Sequence, residues 1–342
     1  MTRPVSRDRS AGTGALCVLA ASVLWGTTGT AATLAPGVGP LAIGAVAMGL
    51  GGLLQALLAA PQLARHAHRL GEHRGTVLLG AASVAVYPLA FYSSMHLAGV
   101  AVGTVVSIGT APLASALIER VVDGRRLTRR WMAAASLGLL GTVLLCVAEA
   151  ADDADQGSTA GTLLGVGLGL VAATTYALYS WSAQRLITHR IPSRAAMGAV
   201  FGLGGLLLLP VLLATGAPLA DSWSNAAVGI YMALVPMCAG YVLFGRGLAH
   251  VAASTATTLS LLEPAVAALL AVLIVGERLP AAGWTGIALV IACLAVLTTP
   301  APATRHRQQR QTGPVPGGRA DEAPQADSSH ARTGEAERSS VI

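Results

Sequence analysis

Charged residues are scarce in this sequence, since Asp, Glu, Lys and Arg make up only 11% of its 342 residues. An ordinary globular domain carries roughly 25%. Hydrophobic residues account for 54% of the chain, and they form stretches long enough for a helix to cross a hydrocarbon core of roughly 30 Å. This composition excludes a soluble enzyme and favours a protein that spans a membrane many times.

Only four cysteines occur, and each lies alone in an apolar stretch, without a CxxC pair or a neighbouring histidine. This spacing excludes a disulfide framework and a zinc site. Enzyme motifs are missing as well: HExxH, GxSxG and GK[ST] do not occur, and Asp152-Asp153-Ala154-Asp155 lacks the DDxxD spacing that binds a diphosphate through magnesium. We therefore expect no enzymatic activity, no cofactor and no metal.

The apolar stretches predict ten transmembrane helices, five in each half of the chain. Those of the first half are Gly14 to Leu34, Leu41 to Ala60, Gly75 to His96, Val100 to Ile118 and Trp131 to Ala148. Those of the second half are Gly161 to Ser182, Ala195 to Thr215, Asn225 to Gly245, Val251 to Val275 and Ala281 to Leu297.

The distribution of arginine predicts the orientation, because basic residues in short loops stay on the cytoplasmic side. With the N-terminus inside, the outer loops hold a single arginine, Arg278. The inner loops hold Arg65, Arg69, Arg74, Arg120, Arg125, Arg126, Arg129, Arg130, Arg185, Arg190, Arg194 and Arg246. We expect a multi-pass protein of the cell membrane with both termini cytoplasmic. The net charge of +6 is spread over loops rather than clustered on one face, so no nucleic acid partner is expected.

The chain divides into five predicted segments. A basic cytoplasmic arm covers residues 1–13, five spans cover 14–148, and an acidic external loop covers 149–160. The second five spans cover 161–298, and residues 299–342 are expected to be a disordered cytoplasmic tail, because they hold too few large apolar side chains to offset the entropy of ordering.

The two halves repeat each other. A shift of about 151 residues places Leu97-Ala98-Gly99-Val100-Ala101 over Leu248-Ala249-His250-Val251-Ala252, and Gly124-Arg125-Arg126-Leu127 then lies over Gly276-Glu277-Arg278-Leu279. Each repeat holds five spans, an odd number, so the second enters the membrane from the opposite side. The predicted fold is an all-α membrane protein of ten transmembrane helices in two inverted-topology five-helix repeats, an architecture that builds transport sites near the midplane.

Several motifs resemble a known family. The stretch Leu261–Leu270, which reads LLEPAVAALL, and the following GERL motif at Gly276–Leu279 resemble the second repeat of EamA-type transporters in the drug/metabolite transporter superfamily. Leu24-Trp25-Gly26 and Ala111-Pro112-Leu113 resemble the first-repeat motifs. The resemblance implies a secondary transporter, usually an exporter of amino acids, other metabolites or toxic compounds, with a cavity lined by spans one, three, four, six, eight and nine. Arg125 departs from the family, which often has Glu there.

Glu263 is the one ionisable side chain near the middle of a predicted span. A charge at that depth costs at least about 2.5 kcal/mol, so the side chain must face the bundle interior or water. One interpretation makes it a proton carrier that couples transport to a proton gradient. The alternative is a protonated Glu that forms a structural hydrogen bond to a neighbouring helix.

Other residues are candidates for the cavity or for helix kinks. Aromatic faces and hydroxyls in the spans assigned to the cavity could hold substrate, although ordinary helix packing also explains them: Trp25, Tyr87, Tyr92, Thr104, Ser107, Tyr176, Thr257 and Ser260. Four prolines inside spans should kink the helix and free a backbone carbonyl: Pro88, Pro112, Pro236 and Pro264. Five aromatics near span ends are expected at the membrane interface: Trp131, Trp181, Trp223, Tyr241 and Trp284.

These observations together predict a secondary transporter that exports a small organic metabolite, such as one resembling an amino acid, or a drug. The expected partners are a small-molecule substrate and the lipid bilayer, and the sequence leaves a homodimer open. Two alternatives from other classes are a membrane sensor or scaffold that uses the fold without flux and a membrane enzyme of unfamiliar type.

Overall fold

A computed structural model describes residues 5–150, 159–275 and 279–299 of the chain. Within these residues the secondary structure is helical and contains no strand. Ten segments of the described chain are long and apolar enough to cross a membrane, which confirms the predicted ten-span architecture. Spans 1 to 10 are Gly12–Ala32, Pro40–Arg65, Arg74–Ala98, Val102–Val122, Arg129–Val147, Ala160–Thr188, Ser193–Thr215, Trp223–Leu248, Ala253–Ile274 and Ala281–Thr298.

Several helices run past the predicted ends of the apolar stretches. Span 2 continues to Arg65 and span 6 to Thr188, and the helix that contains span 1 already begins at Val5. Hydrophobicity marks the depth of the hydrocarbon, whereas backbone hydrogen bonding carries a helix on into the polar layer. Residues 151–158 and 300–342, with most of the predicted acidic loop and the predicted tail, lie outside the described residues.

The packing of the spans repeats between the two halves. Span 1 packs against spans 8 and 9, and its counterpart, span 6, packs against spans 3 and 4. Span 2 contacts span 8, and the equivalent contact in the other half joins span 7 to span 3. Span 2 also packs against its own counterpart, span 7, and span 5 packs against its counterpart, span 10. The chain therefore forms two five-helix repeats related by a pseudo-two-fold axis, with opposite directions through the membrane because five is odd.

Small residues hold spans 2 and 7 close together. A Cβ atom on Gly205 of span 7 would lie 2.5 Å from the carbonyl oxygen of Gly49 in span 2, so no larger side chain fits between these backbones. Lipid tails are as apolar as leucine, and helix association in a membrane therefore depends on close van der Waals contact of this kind.

Five spans are interrupted. Span 4 has a π-helical turn at Val105–Gly109 and restarts as the helix Ala111–Val122, while span 9 ends one helix at Leu259 and restarts at Leu262. Pro112 and Pro264 lie in the first turns of these restarted helices, where a missing amide donor costs least. Span 8 has a π-helical stretch at Ala233–Ala239 around Pro236, span 2 has one at Ala45–Leu50, and span 1 breaks at Thr27. Span 3, in contrast, continues through Pro88 as one helix.

Candidate functional site

A small cavity lies near the middle of the bundle, between the two repeats. It can hold the centre of a water molecule over only about 20 Å³, which is room for roughly one water. Its walls come from spans 1, 2, 3, 6, 8 and 9: Trp25, Thr28, Gly44, Ala47, Met48, Tyr87, Pro88, Phe91, Tyr92, Tyr176, Met237, Tyr241 and Glu263. The cavity is therefore contracted, and a solute of amino-acid size would require the spans to separate.

Glu263 enters this cavity from the break in span 9. It lies in the first turn of the helix Leu262–Leu270, and its backbone amide donates to the carbonyl oxygen of Ser260 at 2.9 Å. In a continuous helix, Pro264 would leave the Ser260 carbonyl without a donor, because proline has no amide hydrogen. At the break in span 9 that carbonyl accepts from Glu263 instead, so it is not free as predicted. Among the described residues the Glu263 carboxyl has no hydrogen-bond or ion-pair partner, and neither do the hydroxyls of Tyr87 and Tyr92. Three polar groups of the cavity wall are thus free to bind a solute.

Side chains from spans 1 and 2 donate hydrogen bonds to backbone carbonyls in the π-helical stretch of span 8. The Nε1 group of Trp25 donates to the carbonyl oxygen of Pro236 at 3.0 Å, and the Nε2 group of Gln55 lies 3.5 Å from the carbonyl oxygen of Met237. A π-turn leaves such carbonyls without their usual helical partners. Trp25 therefore both lines the cavity and stabilises the irregular backbone opposite it.

The Leu24-Trp25-Gly26 motif of span 1 contacts the Glu263-Pro264 motif of span 9. A Cβ atom on Gly26 would lie 2.7 Å from the Cβ of Val266 and 2.9 Å from the carbonyl oxygen of Glu263. Glycine is required here because the two backbones approach too closely for any side chain. This contact places Trp25 and Glu263 on one wall of the cavity.

We call the end of the bundle at which span 2 ends at Arg65 and span 3 begins at Arg74 the arginine-rich end. A layer of aromatic side chains lies between the cavity and this end. Tyr176 stacks on Tyr179 with ring centroids 5.2 Å apart, and the Tyr179 hydroxyl lies 2.7 Å from that of Tyr241. Phe201 and Phe244 complete the layer at 4.4 Å from Tyr241 and 5.3 Å from Trp25, respectively. All are buried, so the layer closes the cavity on this side.

Tyr241, Trp131 and Trp181 face the interior of the bundle, so they cannot serve as the lipid-contacting aromatics that their positions near span ends predicted. All three are buried inside the bundle, and the Trp131 indole nitrogen is 3.4 Å from the carbonyl oxygen of Ser254. Trp223 and Trp284 are exposed, the former at 81%. Position along a span predicts depth in the membrane, but it does not predict whether a side chain faces lipid or another helix.

The predicted cavity residues separate into two groups. Trp25, Tyr87, Tyr92, Tyr176 and Glu263 line the cavity together. The predicted hydroxyl residues Thr104, Ser107, Thr257 and Ser260 are absent from its wall.

The hydroxyl residues are placed elsewhere because spans 4 and 9 turn those positions toward helix contacts. Ser107 is buried without a hydrogen-bond partner within the described residues, Thr104 is half-buried, and Thr257 donates to the backbone of its own helix. Ser260 is linked to the cavity indirectly, since it accepts from the Tyr176 hydroxyl at 2.8 Å. The resemblance implied that span 4 lines the cavity, but no residue of span 4 lies in the described wall. Span 2 lines it instead, with Met48 among its residues.

A buried carboxylate links span 4 to span 9 at the arginine-rich end. The Oε1 atom of Glu119 accepts from the backbone amide of Ser254 at 3.1 Å, and its Oε2 accepts from the Ser254 hydroxyl at 2.8 Å. Ser254 lies in the first turn of the helix Ala253–Leu259, whose own N-cap residue, Ala252, offers no side-chain acceptor. Glu119 thus caps that helix from another span, as an anion at a helix N-terminus should.

Two further contacts close the same end. Gln184 of span 6 accepts from the amide of Ala253 at 3.1 Å and donates to the carbonyl oxygen of Val251 at 2.6 Å. Asp123 accepts from Arg185 at 2.9 Å and from the Trp181 indole at 2.8 Å. Glu119 was not among the predicted site residues because the predicted span ended at Ile118. The one local signal for it is the lack of a capping side chain at Ala252.

The two-repeat fold, the midplane cavity between the repeats and the interrupted spans around it define the chain as a membrane transporter. The chain matches the EamA-like transporter family over residues 12–147 and 163–299. It is also 35% identical over 284 residues to the uncharacterized transporter YwfM of Bacillus subtilis. This match covers 83% of this chain and 93% of YwfM. The chain belongs to the EamA-like transporter family.

Two more similarities extend this assignment. RhtA of Escherichia coli, which is named a threonine/homoserine exporter, is 26% identical over 264 residues, and the match covers 77% of this chain and 83% of RhtA. A solved crystal structure superimposes with a TM-score of 0.67 at 23% identity, covering 83% of this chain and 95% of the other. At that identity the superposition supports the fold alone.

Proposed function

We propose that this protein exports a small organic metabolite resembling an amino acid, or a drug, by alternating access across the cell membrane. The observation that carries the proposal is one contracted cavity between the repeats in which the Glu263 carboxyl and the Tyr87 and Tyr92 hydroxyls lack protein partners among the described residues. Unpaired polar groups in an apolar setting are costly. A ligand that pairs with them is therefore favoured.

The chemistry of the wall favours a substrate that carries an amine. A carboxylate attracts an ammonium group, and the faces of Trp25, Tyr87 and Tyr92 stabilise a nearby cation. The free tyrosine hydroxyls can donate to a substrate carboxylate or hydroxyl, while Met48 and Met237 adapt to an apolar side chain. The name of the relative RhtA, a threonine/homoserine exporter, supports the same substrate class.

Glu263 also supports coupling to protons. A single carboxyl group can bind either a proton or a substrate ammonium, but it does not bind both well at once. Competition of this kind drives proton and substrate in opposite directions when the cavity opens alternately to the two sides. The lack of a structural hydrogen-bond partner for the carboxyl among the described residues favours this role over a purely structural one.

Opening would require different contacts to break at the two ends. The arginine-rich end, which we propose is cytoplasmic together with both termini, is closed by the aromatic layer and by Glu119 and Gln184. The opposite end has fewer bonds among the described residues: the Thr27 and Tyr231 hydroxyls lie 2.7 Å apart, and Ser224 donates to the carbonyl oxygen of Leu34 at 2.9 Å. The hydrogen bonds at both ends can be exchanged for hydrogen bonds to water.

A sensor or scaffold without flux remains the second candidate, because a cavity of this kind could bind a ligand without moving it. The test is uptake of radiolabelled L-threonine, L-homoserine and a panel of other amines into inside-out vesicles, with and without an acidic vesicle interior. We expect uptake that increases with the proton gradient and is absent from vesicles lacking the protein. Saturable binding without uptake of any bound compound would establish the sensor.

A further inference from the structure

A second, larger opening lies at the arginine-rich end between spans 2, 7 and 8, away from the central cavity. It can hold the centre of a water molecule over about 240 Å³, compared with about 20 Å³ in the central cavity. Arg194, the second residue of span 7, and Arg246, near the end of span 8, lie on its rim. Gln55 and Gln62 of span 2 lie along one side. We call this opening the lateral groove.

The lateral groove carries two positive charges, those of Arg194 and Arg246. Arg194 and Arg246 are exposed and have no ion pair or hydrogen bond within the described part of the chain. Span 7 also begins here: its N-cap residue is Pro192, and no side chain caps the helix. The first-turn amides at Ser193 and Arg194 therefore add the positive end of a 23-residue helix to the two guanidinium groups.

Two glutamine side chains inside the lateral groove limit which ligands can bind there. Gln55 is only 3% exposed, and its Oε1 atom has no hydrogen-bond partner in the described structure; the Oε1 of Gln62 is in the same situation. These oxygens can only accept, so the ligand must bring donors as well as negative charge. Gln62 lies near the rim, and Gln55, seven positions earlier in the helix, lies about 10 Å deeper.

The lateral groove also opens toward lipid. Leu58, between the two glutamines in the same helix, lines it and is 57% exposed on a surface that faces hydrocarbon in a membrane. A ligand with an acyl chain could leave the groove along Leu58 while its head group stays between the arginines. Basic pockets between spans on the cytoplasmic side are suited to anionic lipid head groups.

We propose that the lateral groove binds the head group of an anionic phospholipid that also carries hydroxyl donors, with phosphatidylglycerol as the simplest example. Arg194, Arg246 and the first turn of span 7 hold the phosphate. Gln62, near the rim, accepts from a hydroxyl of the glycerol head. The site is separate from the central cavity, and its occupancy does not depend on the proposed transport function.

The test is native mass spectrometry of the purified full-length protein, titrated with dioleoyl phosphatidylglycerol, dioleoyl phosphatidylcholine or dioleoyl phosphatidic acid. We expect phosphatidylglycerol to bind more tightly than phosphatidylcholine, and the double variant R194Q/R246Q to bind it about 30-fold more weakly, since each basic residue near anionic lipid contributes about a factor of five. The control R74Q/R129Q removes two exposed arginines of the same end outside the lateral groove and should change binding less than twofold.

A second variant tests the hydroxyl contact separately from the charge. Gln62→Leu should weaken phosphatidylglycerol about fivefold but leave phosphatidic acid, which lacks the glycerol head, unchanged. Equal losses in the two double variants, or equal binding of phosphatidylglycerol and phosphatidylcholine, would overturn the proposal. So would displacement of the lipid by millimolar inorganic phosphate or glycerol 3-phosphate, which would make the ligand a soluble anion. None of these measurements involves flux, so failure here leaves the transport proposal untouched.

Discussion

Glu119 and Ser254 join the two repeats through one carboxylate, which accepts both the backbone amide and the hydroxyl of Ser254. Glu119 is 2% exposed, and its nearest cation is Arg125, whose Nη1 lies 3.8 Å away. The sequence departs from its family at that same Arg125. The arginine thus partly balances a carboxylate that the closed arginine-rich end buries.

Removal of this carboxylate should open the arginine-rich end. Glu119→Ala leaves the buried amide of Ser254 without its acceptor, which costs about 1 to 3 kcal/mol and shifts the equilibrium toward the open state by roughly 5- to 150-fold. Glu119→Gln should have a smaller effect, because its Oε1 can still accept from the amide.

The measurement is the labelling rate of Thr257→Cys, a position buried behind this contact, in vesicles that expose the arginine-rich end. The four native cysteines are replaced by serine first. Glu72→Ala is the matched control, since Glu72 lies at the same end, is exposed, and within the described residues pairs with the exposed His68 alone. Equal labelling rates in the Glu119→Ala protein and its parent would mean that Glu119 does not hold this end closed.

Glu263→Gln tests the coupling role. The amide has nearly the same shape and can still form hydrogen bonds, but it cannot release a proton at physiological pH. If Glu263 carries the proton, the variant should fold and exchange substrate while losing uptake driven by a proton gradient. Gradient-driven uptake at the wild-type rate in a well-expressed Gln variant would exclude the coupling role and leave the transporter assignment intact.

Trp25→Phe should weaken the irregular part of span 8. Phenylalanine keeps most of the aromatic packing but cannot donate to the carbonyl oxygen of Pro236, and a buried carbonyl without a partner costs about 1 to 3 kcal/mol. We expect a lower thermal midpoint in detergent and slower transport. Trp284→Phe serves as the control, because Trp284 is exposed and should shift the midpoint little.

Gly26→Ala should disrupt the contact between spans 1 and 9. The new methyl group would collide with Val266 and with the carbonyl oxygen of Glu263, so the spans must separate or the folded yield must fall by a cost of roughly 1 to 3 kcal/mol. Gly29→Ala is the matched control in the same span, since a Cβ there meets nothing within 4 Å. Similar yields and thermal midpoints for both variants would contradict the close approach.

The orientation can be tested with single cysteines at Asp153 and Arg126. An impermeant thiol reagent applied to intact cells should label the first and not the second, because the arginine distribution places the Arg126 loop inside. Labelling at Arg126 but not at Asp153 would invert the proposed topology.

The sequence was sufficient for the number of spans and for the two-repeat fold. The length of each apolar stretch is a local property of the sequence, and it must match the thickness of the hydrocarbon core. An odd number of spans in each repeat inverts the second copy, and this does not depend on how the side chains pack. The sequence also indicated that Glu263 faces the cavity. A carboxyl group near the middle of a span is too costly to expose to lipid, so it must face the interior of the bundle.

Only the tertiary structure decided which faces of the spans meet. Glu119 and Ser254 are 135 residues apart, and neither is unusual in its own helix. Tyr241 lies where an interfacial aromatic would lie, yet span 1 covers it, and Met48 lines a wall expected from span 4. A helix can bury any face at little cost if its neighbour fits closely, because packing rather than hydrophobicity selects partners inside a membrane. That fit depends on contacts between distant segments, which no single stretch of sequence contains.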